Sequence, residues 1–287
     1  MDSIKILGVK VDKVTYQDSL SIISNYIQSD KKAYIVTPNV EIVMAALEDF
    51  EFKKVLNKAK LSIPDSSRLW WAYAISSRKS LIDKILLWPF FLLPKAIPGL
   101  RSFPVTTGTR LMDQLISLSE EKAYTIGLLG GRDGVADKLR ECLMHKYPKL
   151  KIKFCSSNIT VDLSGNSQFD IYKNIKYKSK NIKDLHHRKP GSLNVHKLSE
   201  KMDILFVALG HIKQEKWMSK NLPKLNTKVM IGVGGAFDYL SGTVSRAPGW
   251  VQEIGLEWLF RLIIQPWRIK RFGSLVKFIF KVSFGKN

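Results

Sequence analysis

The chain has 287 residues, 45% hydrophobic and 25% charged, which excludes a disordered polymer and leaves room for a sizeable core. Its formal net charge of +21 points to polyanionic partners: nucleic acid, an anionic membrane surface or phosphorylated substrates. A generally lysine-rich composition, as in Tyr172 to Lys183, is the alternative source of that charge. Two separated cysteines, Cys142 and Cys155, predict a reducing compartment and two buried thiols. No apolar leader follows Met1-Asp2-Ser3-Ile4-Lys5, and no run reaches the ~20 residues that span a bilayer, so a cytoplasmic location is expected.

Ile4 to Val14 reads as a strand or hairpin, and Ser19 to Ile27 as an amphipathic helix with Leu20, Ile23, Tyr26 and Ile27 on its apolar side. Ala33 to Val36 is a short strand that delivers Thr37-Pro38-Asn39 to its end, where Pro38 stops it and Asn39 caps a helix from Val40 to Ala46. A second step, Leu61-Ser62-Ile63, leads to Pro64-Asp65-Ser66-Ser67 and another helix. Two strand ends thus present Thr37, Asn39 and Asp65 to one crevice, with helix capping as the alternative role for each. Arg78 to Phe103 carries the apolar and aromatic run Ile85 to Pro94 between Lys84 and Lys95. It suits an interfacial loop or a hairpin packed on the protein itself.

Thr109 to Lys122 predicts a helix, and Tyr124 to Leu129 a strand that ends in Gly130-Gly131-Arg132-Asp133-Gly134 before a helix through Met144. Strand, glycine turn and helix make an anion site, but the spacing is not GxGxxG and no dinucleotide is indicated. Lys151 to Cys155 is a further strand. Ser156 to Pro190 is a polar, basic insertion in which His186-His187 is a solvated pair. Two all-apolar runs close on glycine: Ile204 to Leu209 at Gly210, and Val229 to Val233 at Gly234-Gly235. They suit buried strands of a parallel sheet whose ligands gather at the carboxyl ends. Beyond Pro266 there is no acidic residue. A helix from Arg268 to Phe284 would place Lys270, Lys277 and Lys281 on one face, with Phe272, Leu275, Val276, Ile279 and Val282 opposite, as on an anionic membrane; docking on the domain is the alternative.

Thr37-Pro38-Asn39, Pro64-Asp65, Leu128-Leu129-Gly130-Gly131, Gln214-Glu215, Gly232 to Asp238, Arg246-Ala247-Pro248 and Leu256-Glu257-Trp258 occur in the order that resembles the WecG/TagA/CpsF family of bacterial glycosyltransferases. The resemblance covers nearly the whole chain apart from insertions near 78–103 and 156–190. It implies an α/β fold: a Rossmann-like, mostly parallel sheet with helices on both faces, in a core of residues 1–242. A basic amphipathic, membrane-associating helical appendage follows at 243–287. The implied reaction is inverting transfer of an N-acetylhexosamine-type sugar, ManNAc or its uronic acid, from a UDP-sugar to a polyprenyl-diphosphate-linked GlcNAc. It would serve cell-surface polysaccharide synthesis on the inner face of the membrane.

By the same resemblance Asp65 is the general base. Thr37, Asn39 and Gln214 line the pocket; Gly130, Gly131, Gly210, Gly234 and Gly235 cradle the nucleotide diphosphate; Asp238 is structural. The chain departs from the family pattern at Ser66, usually Gly, at Ile212-Lys213, usually Pro-Lys, and at Val105, where a cation is expected. Arg101, Arg110, Arg261, Arg268 or Arg271 would then stand in. No DxD motif adjoins a strand end, and the family works without metal, so no cofactor is expected beyond the donor substrate. The expected partners are the UDP-sugar, the lipid-linked acceptor and an anionic membrane; nothing in the sequence excludes a homo-oligomer. A basic nucleic-acid-binding α/β module is the alternative of another class, but its recognition motifs are missing. A membrane-bound relic without turnover is a third.

Overall fold

The structure, a computed structural model, describes residues 2–29, 31–97, 99–100, 105–132, 134–157, 159–169, 198, 200–249, 251, 256–266, 269 and 272–285. The chain divides into two compact units. The first comprises Met1–Ser21, Val36–Thr107 and Ser245–Asn287; the second comprises Ile22–Ile35 and Gly108–Val244. A six-stranded parallel sheet flanked by helices forms the framework, and the α/β class read from the sequence holds.

A hairpin opens the chain, β1 (Ser3–Ile6) against β2 (Val9–Asp12). Its two-residue turn, Leu7-Gly8, has φ 49° and 82°, the double positive φ that matches the twist of paired strands. Helix α1 (Tyr16–Gln28) follows, then β3 (Ala33–Val36), α2 (Val40–Glu48), α3 (Phe50–Lys58) and β4 (Leu61–Ser62). Asp12, 1% exposed, accepts the Ser62 N–H at 2.8 Å and meets Lys10 at 3.5 Å, which fixes β4 beside the hairpin. Next come α4 (Ser67–Ser76), α5 (Leu81–Leu86) and two 3-10 turns, Pro89–Phe91 and Pro94–Ala96.

Then follow α6 (Gly108–Glu121), β5 (Thr125–Gly130), α7 (Val135–Lys146) and β6 (Lys151–Ser156), with a small antiparallel pair β7 (Ile159–Val161) and β8 (Ser167–Phe169). β9 (Met202–Ala208), α8 (Lys213–Asn221), β10 (Thr227–Gly232) and α9 (Ala236–Leu240) complete the second unit. The sheet order is β4-β3-β10-β9-β5-β6. Ile204, Leu205, Phe206 and Val207 of β9 are all 0% exposed, so both faces of this strand are covered. That is why its sequence runs apolar without alternation.

The last helices, α10 (Glu257–Ile264) and α11 (Phe272–Phe284), belong to the first unit, where α11 packs on α2, α4 and α5. Phe278, 0% exposed, lies 6.5 Å from Trp71 and 6.3 Å from Phe91 by ring centroids. Trp88 of the 78–103 insertion donates from Nε1 to Ser283 Oγ at 3.0 Å and meets the Phe280 and Phe284 rings at 5.4 and 5.9 Å. The insertion is therefore packed on the protein, while Ile82 and Leu86 of α5 stay 70% and 65% exposed.

Two expectations are corrected. Val276 does not lie opposite the lysines; it is exposed beside Lys277, because 276, 280 and 284 form one i, i+4 stripe next to 277 and 281. The thiols are not two buried groups either: Cys142 is exposed on α7, and only Cys155, half-buried, is pushed up to about 12 by burial and by nearby Asp137. The insertion beyond residue 169, His186-His187, Lys270 and the start of the last helix at Arg268 lie outside the described residues.

Candidate functional site

In the first unit hydrogen bonds join the segment from Val36 to the one that follows Ser62. Ile63 N–H donates to Val36 O at 2.9 Å, and Asp65 N–H donates to Pro38 O at 3.0 Å. Thr37-Pro38-Asn39 and Pro64-Asp65 therefore lie side by side, as the two strand ends predicted. Thr106 N–H donates to Pro64 O at 3.2 Å and brings a third segment to the same place. Thr37 is buried, and Asn39 caps α2, its Oδ1 accepting the Ile42 N–H at 3.1 Å. Capping of α4 falls to Ser66, whose Oγ accepts the Arg68 N–H at 3.3 Å. Ser66 has φ −147°, ordinary extended backbone, so this turn has no need of glycine. Half-buried Asp65 is thus not the cap of α4.

The cations near this place are distributed unevenly. Arg246 donates to Thr107 Oγ1 at 3.2 Å and stands 4.0 Å from Glu257 Oε1, which Arg261 also contacts from one turn along α10. Arg261 is thereby tied to a carboxylate of its own helix. Arg268, Arg271 and Arg101 lie outside the described residues, and Arg110 belongs to the second unit. Sequence reasoning passed over Arg68. Its guanidinium carbon lies over the rings of Phe91 and Trp258, 5.3 and 5.4 Å from their centroids. The available signal was its position three residues after Asp65, in the first turn of a helix where a cation is unfavourable. Farther along, α2 and α11 flank a groove of about 680 Å³, walled by Met44, Leu47, Val276, Phe280 and Phe284 with Lys277 and Lys281 beside them.

In the second unit the glycine turns follow β5, β9 and β10, three neighbouring parallel strands, so they gather at one end of the sheet. Gly130 has φ 98°, and a Cβ there would stand 2.6 Å from Ala208 O; strand packing alone demands glycine. Gly131 (φ 85°) uses its N–H on Ala208 O at 2.7 Å. The first N–H groups of α7 are also engaged, Val135 on Arg132 O at 2.9 Å and Ala136 on Ser157 Oγ at 3.1 Å. Gly210 (φ 83°) and Gly234 (φ 51°) have open space where a side chain would be, and Gly235, at φ −76°, has only the ring edge of Tyr239 and the carboxylate of Asp238 near it.

Gln214 is buried, donates from Nε2 to Glu215 Oε1 at 2.7 Å, and keeps a buried Oε1 without a hydrogen bond among the described residues. Burial pushes the Glu215 carboxyl up to about 7, partly opposed by Gln214 and by the N–H groups of Glu215 and Ile212. Ile212, just before α8, has φ 70° and ψ −57°, a strained γ-turn conformation that proline cannot adopt.

A sequence profile of the glycosyl transferase WecG/TagA/CpsF family matches residues 4–182 and 194–286. The chain is 27% identical over 258 residues to the N-acetylglucosaminyldiphosphoundecaprenol N-acetyl-beta-D-mannosaminyltransferase of Bacillus subtilis strain 168, covering 90% of this chain and 82% of that protein. A protein of the same name from Staphylococcus aureus strain MRSA252 is 27% identical over 286 residues, 99% of this chain and 93% of the relative.

Proposed function

The chain belongs to the glycosyl transferase WecG/TagA/CpsF family, and from that premise we propose that it moves ManNAc or its uronic acid from a UDP donor to GlcNAc-diphosphate-polyprenol, with inversion. The observation that carries the mechanistic part is the joining of the β3 and β4 ends, which sets Asp65 beside Thr37 and Asn39 while Ser66 takes over the cap. Asp65 accepts the proton of the acceptor hydroxyl as its oxygen attacks the anomeric carbon. The bond to the UDP oxygen breaks on the opposite face, and an oxocarbenium-like transition state lies between. Charge developing on the departing diphosphate needs donors or cations. Within the first unit Thr37 is assigned to a sugar hydroxyl; within the second, Gln214 is assigned to a sugar hydroxyl and the turns at Gly210, Gly234 and Gly235, with Gly130 and Gly131, to the nucleotide.

The acceptor implies a membrane surface. No helix among the described residues is long and apolar enough to cross a membrane. Exposed apolar side chains nevertheless crowd the first unit, including Ile82 and Leu86 of α5, Ile263 of α10, and Phe280 and Phe284 of α11, and Lys277 and Lys281 border the last pair. Apolar side chains rimmed by cations fit an anionic bilayer, so the enzyme works as a peripheral protein.

The test offers purified protein a panel of UDP-sugars with GlcNAc-diphosphate-polyprenol of short chain, and follows UDP release and product anomer. UDP release confined to a ManNAc-type donor, with an inverted product, is the expected result. Release without transfer, or none from any donor, would sink the reading.

A further inference from the structure

Arg68 stands where a helix least favours a cation, at the second position of α4, facing the positive end of the dipole. It is largely buried, and burial alone pulls its guanidinium down to about 10. Among the described residues no carboxylate forms an ion pair with it, and its Nε is buried without a hydrogen bond. The rings of Phe91 and Trp258 bracket it at 5.3 and 5.4 Å. Cation–π contact returns only part of what desolvating a charge costs. The Trp258 indole Nε1 is likewise buried and makes no hydrogen bond among the described residues. Two buried donors, one of them charged, thus lack a hydrogen bond among the described residues. Donors without acceptors in such a place call for an anion that arrives with the substrate.

We propose that Arg68, set over the rings of Phe91 and Trp258 and with the Trp258 N–H as a second donor, is a binding site for a diphosphate group in the segment that follows Asp65. A guanidinium carries paired N–H donors that match two phosphate oxygens, and in a site shielded from water such charge-assisted bonds are strong. The diphosphate has two sources in the proposed reaction, on which this assignment rests: the leaving group of the nucleotide donor and the linkage of the lipid-bound acceptor. Phe91 comes from the 78–103 insertion and Trp258 from α10, so this cation is positioned by two segments remote in sequence.

The experiment uses the full chain and titrates inorganic pyrophosphate, UDP, uridine and a short-chain GlcNAc-diphosphate-prenol into wild type, Arg68→Gln, Arg68→Lys and Trp258→Phe. Binding is read by calorimetry, and melting temperature is recorded with and without pyrophosphate. Arg68→Gln is expected to weaken pyrophosphate binding about 10- to 100-fold and to leave uridine unchanged. Its ligand-free melting temperature should equal or exceed the wild type, since a largely buried cation with no ion pair among the described residues has gone. Arg68→Lys, which keeps charge but loses the fork, and Trp258→Phe should each fall in between. Loss confined to UDP assigns the donor; loss confined to the prenol diphosphate assigns the acceptor. A lower melting temperature in Arg68→Gln with unchanged pyrophosphate affinity would make Arg68 structural and overturn the proposal. Should Arg68→Gln not fold, unchanged affinity in both Arg68→Lys and Trp258→Phe overturns it equally. Because pyrophosphate binding is read without turnover, its outcome stands apart from that of the transferase assay.

Discussion

Asp65 lies one residue ahead of Ser66, which caps α4, so its removal leaves that cap in place. Asp65→Ala is expected to cost about 10²–10⁴ in transfer rate, with UDP affinity close to wild type. Transfer at the wild-type rate would remove Asp65 from the mechanism. Ser66→Ala is the complementary change, costing about 1 kcal/mol of stability by denaturant titration. Glu215 supplies a pH signature. Its folded carboxyl is pushed up to about 7 from an ordinary value of 4.5. The folded state therefore holds the proton longer than the unfolded state. Its contribution is fully present below about 4.5 and is lost as pH rises through about 7. Urea midpoints at pH 5 and pH 8 should accordingly differ less in Glu215→Gln than in wild type, and an equal difference would contradict the assignment.

Among the elements, α11 shows how one helix serves two surroundings. Phe278 is wedged against Trp71 and Phe91, whereas Phe280, one turn-face away, is 49% exposed. Phe278→Ala should destabilise by about 3–5 kcal/mol, and Phe280→Ala by far less, in chemical denaturation. On anionic vesicles the order reverses. Lys277→Glu and Lys281→Glu should each weaken binding by about 1 kcal/mol for the lost charge and more for the reversal, with Phe280→Ala also weakening it. Vesicle binding indifferent to all three would remove α11 from the membrane contact. Truncating the chain after Trp258 is a poorer test, because it uncovers the Trp71–Phe91 contact that Phe278 closes.

For the whole molecule, the net charge of +21 and the proposed reaction, in which protein donors receive the departing diphosphate, predict transfer without a divalent metal. Activity that vanishes with a chelator and returns with Mg²⁺ or Mn²⁺ would contradict this. The sequence by itself determined the α/β class, because strands buried on both faces must be apolar throughout, as Ile204 to Val207 are. It also determined that Thr37, Asn39 and Asp65 stand at strand ends, since Pro38 and Pro64 stop the strands locally. Which polar group caps each helix was decided only in three dimensions, by the hydrogen bonds of Asn39 and Ser66. Tertiary structure alone chose the outward stripe of α11, because any 13-residue helix with this many apolar side chains offers several faces to bury. It alone exposed Arg68, whose meaning depends on Phe91 and Trp258 arriving from segments far along the chain. Local rules read spacing and propensity, but whether a charge has a partner is a property of the packed neighbourhood.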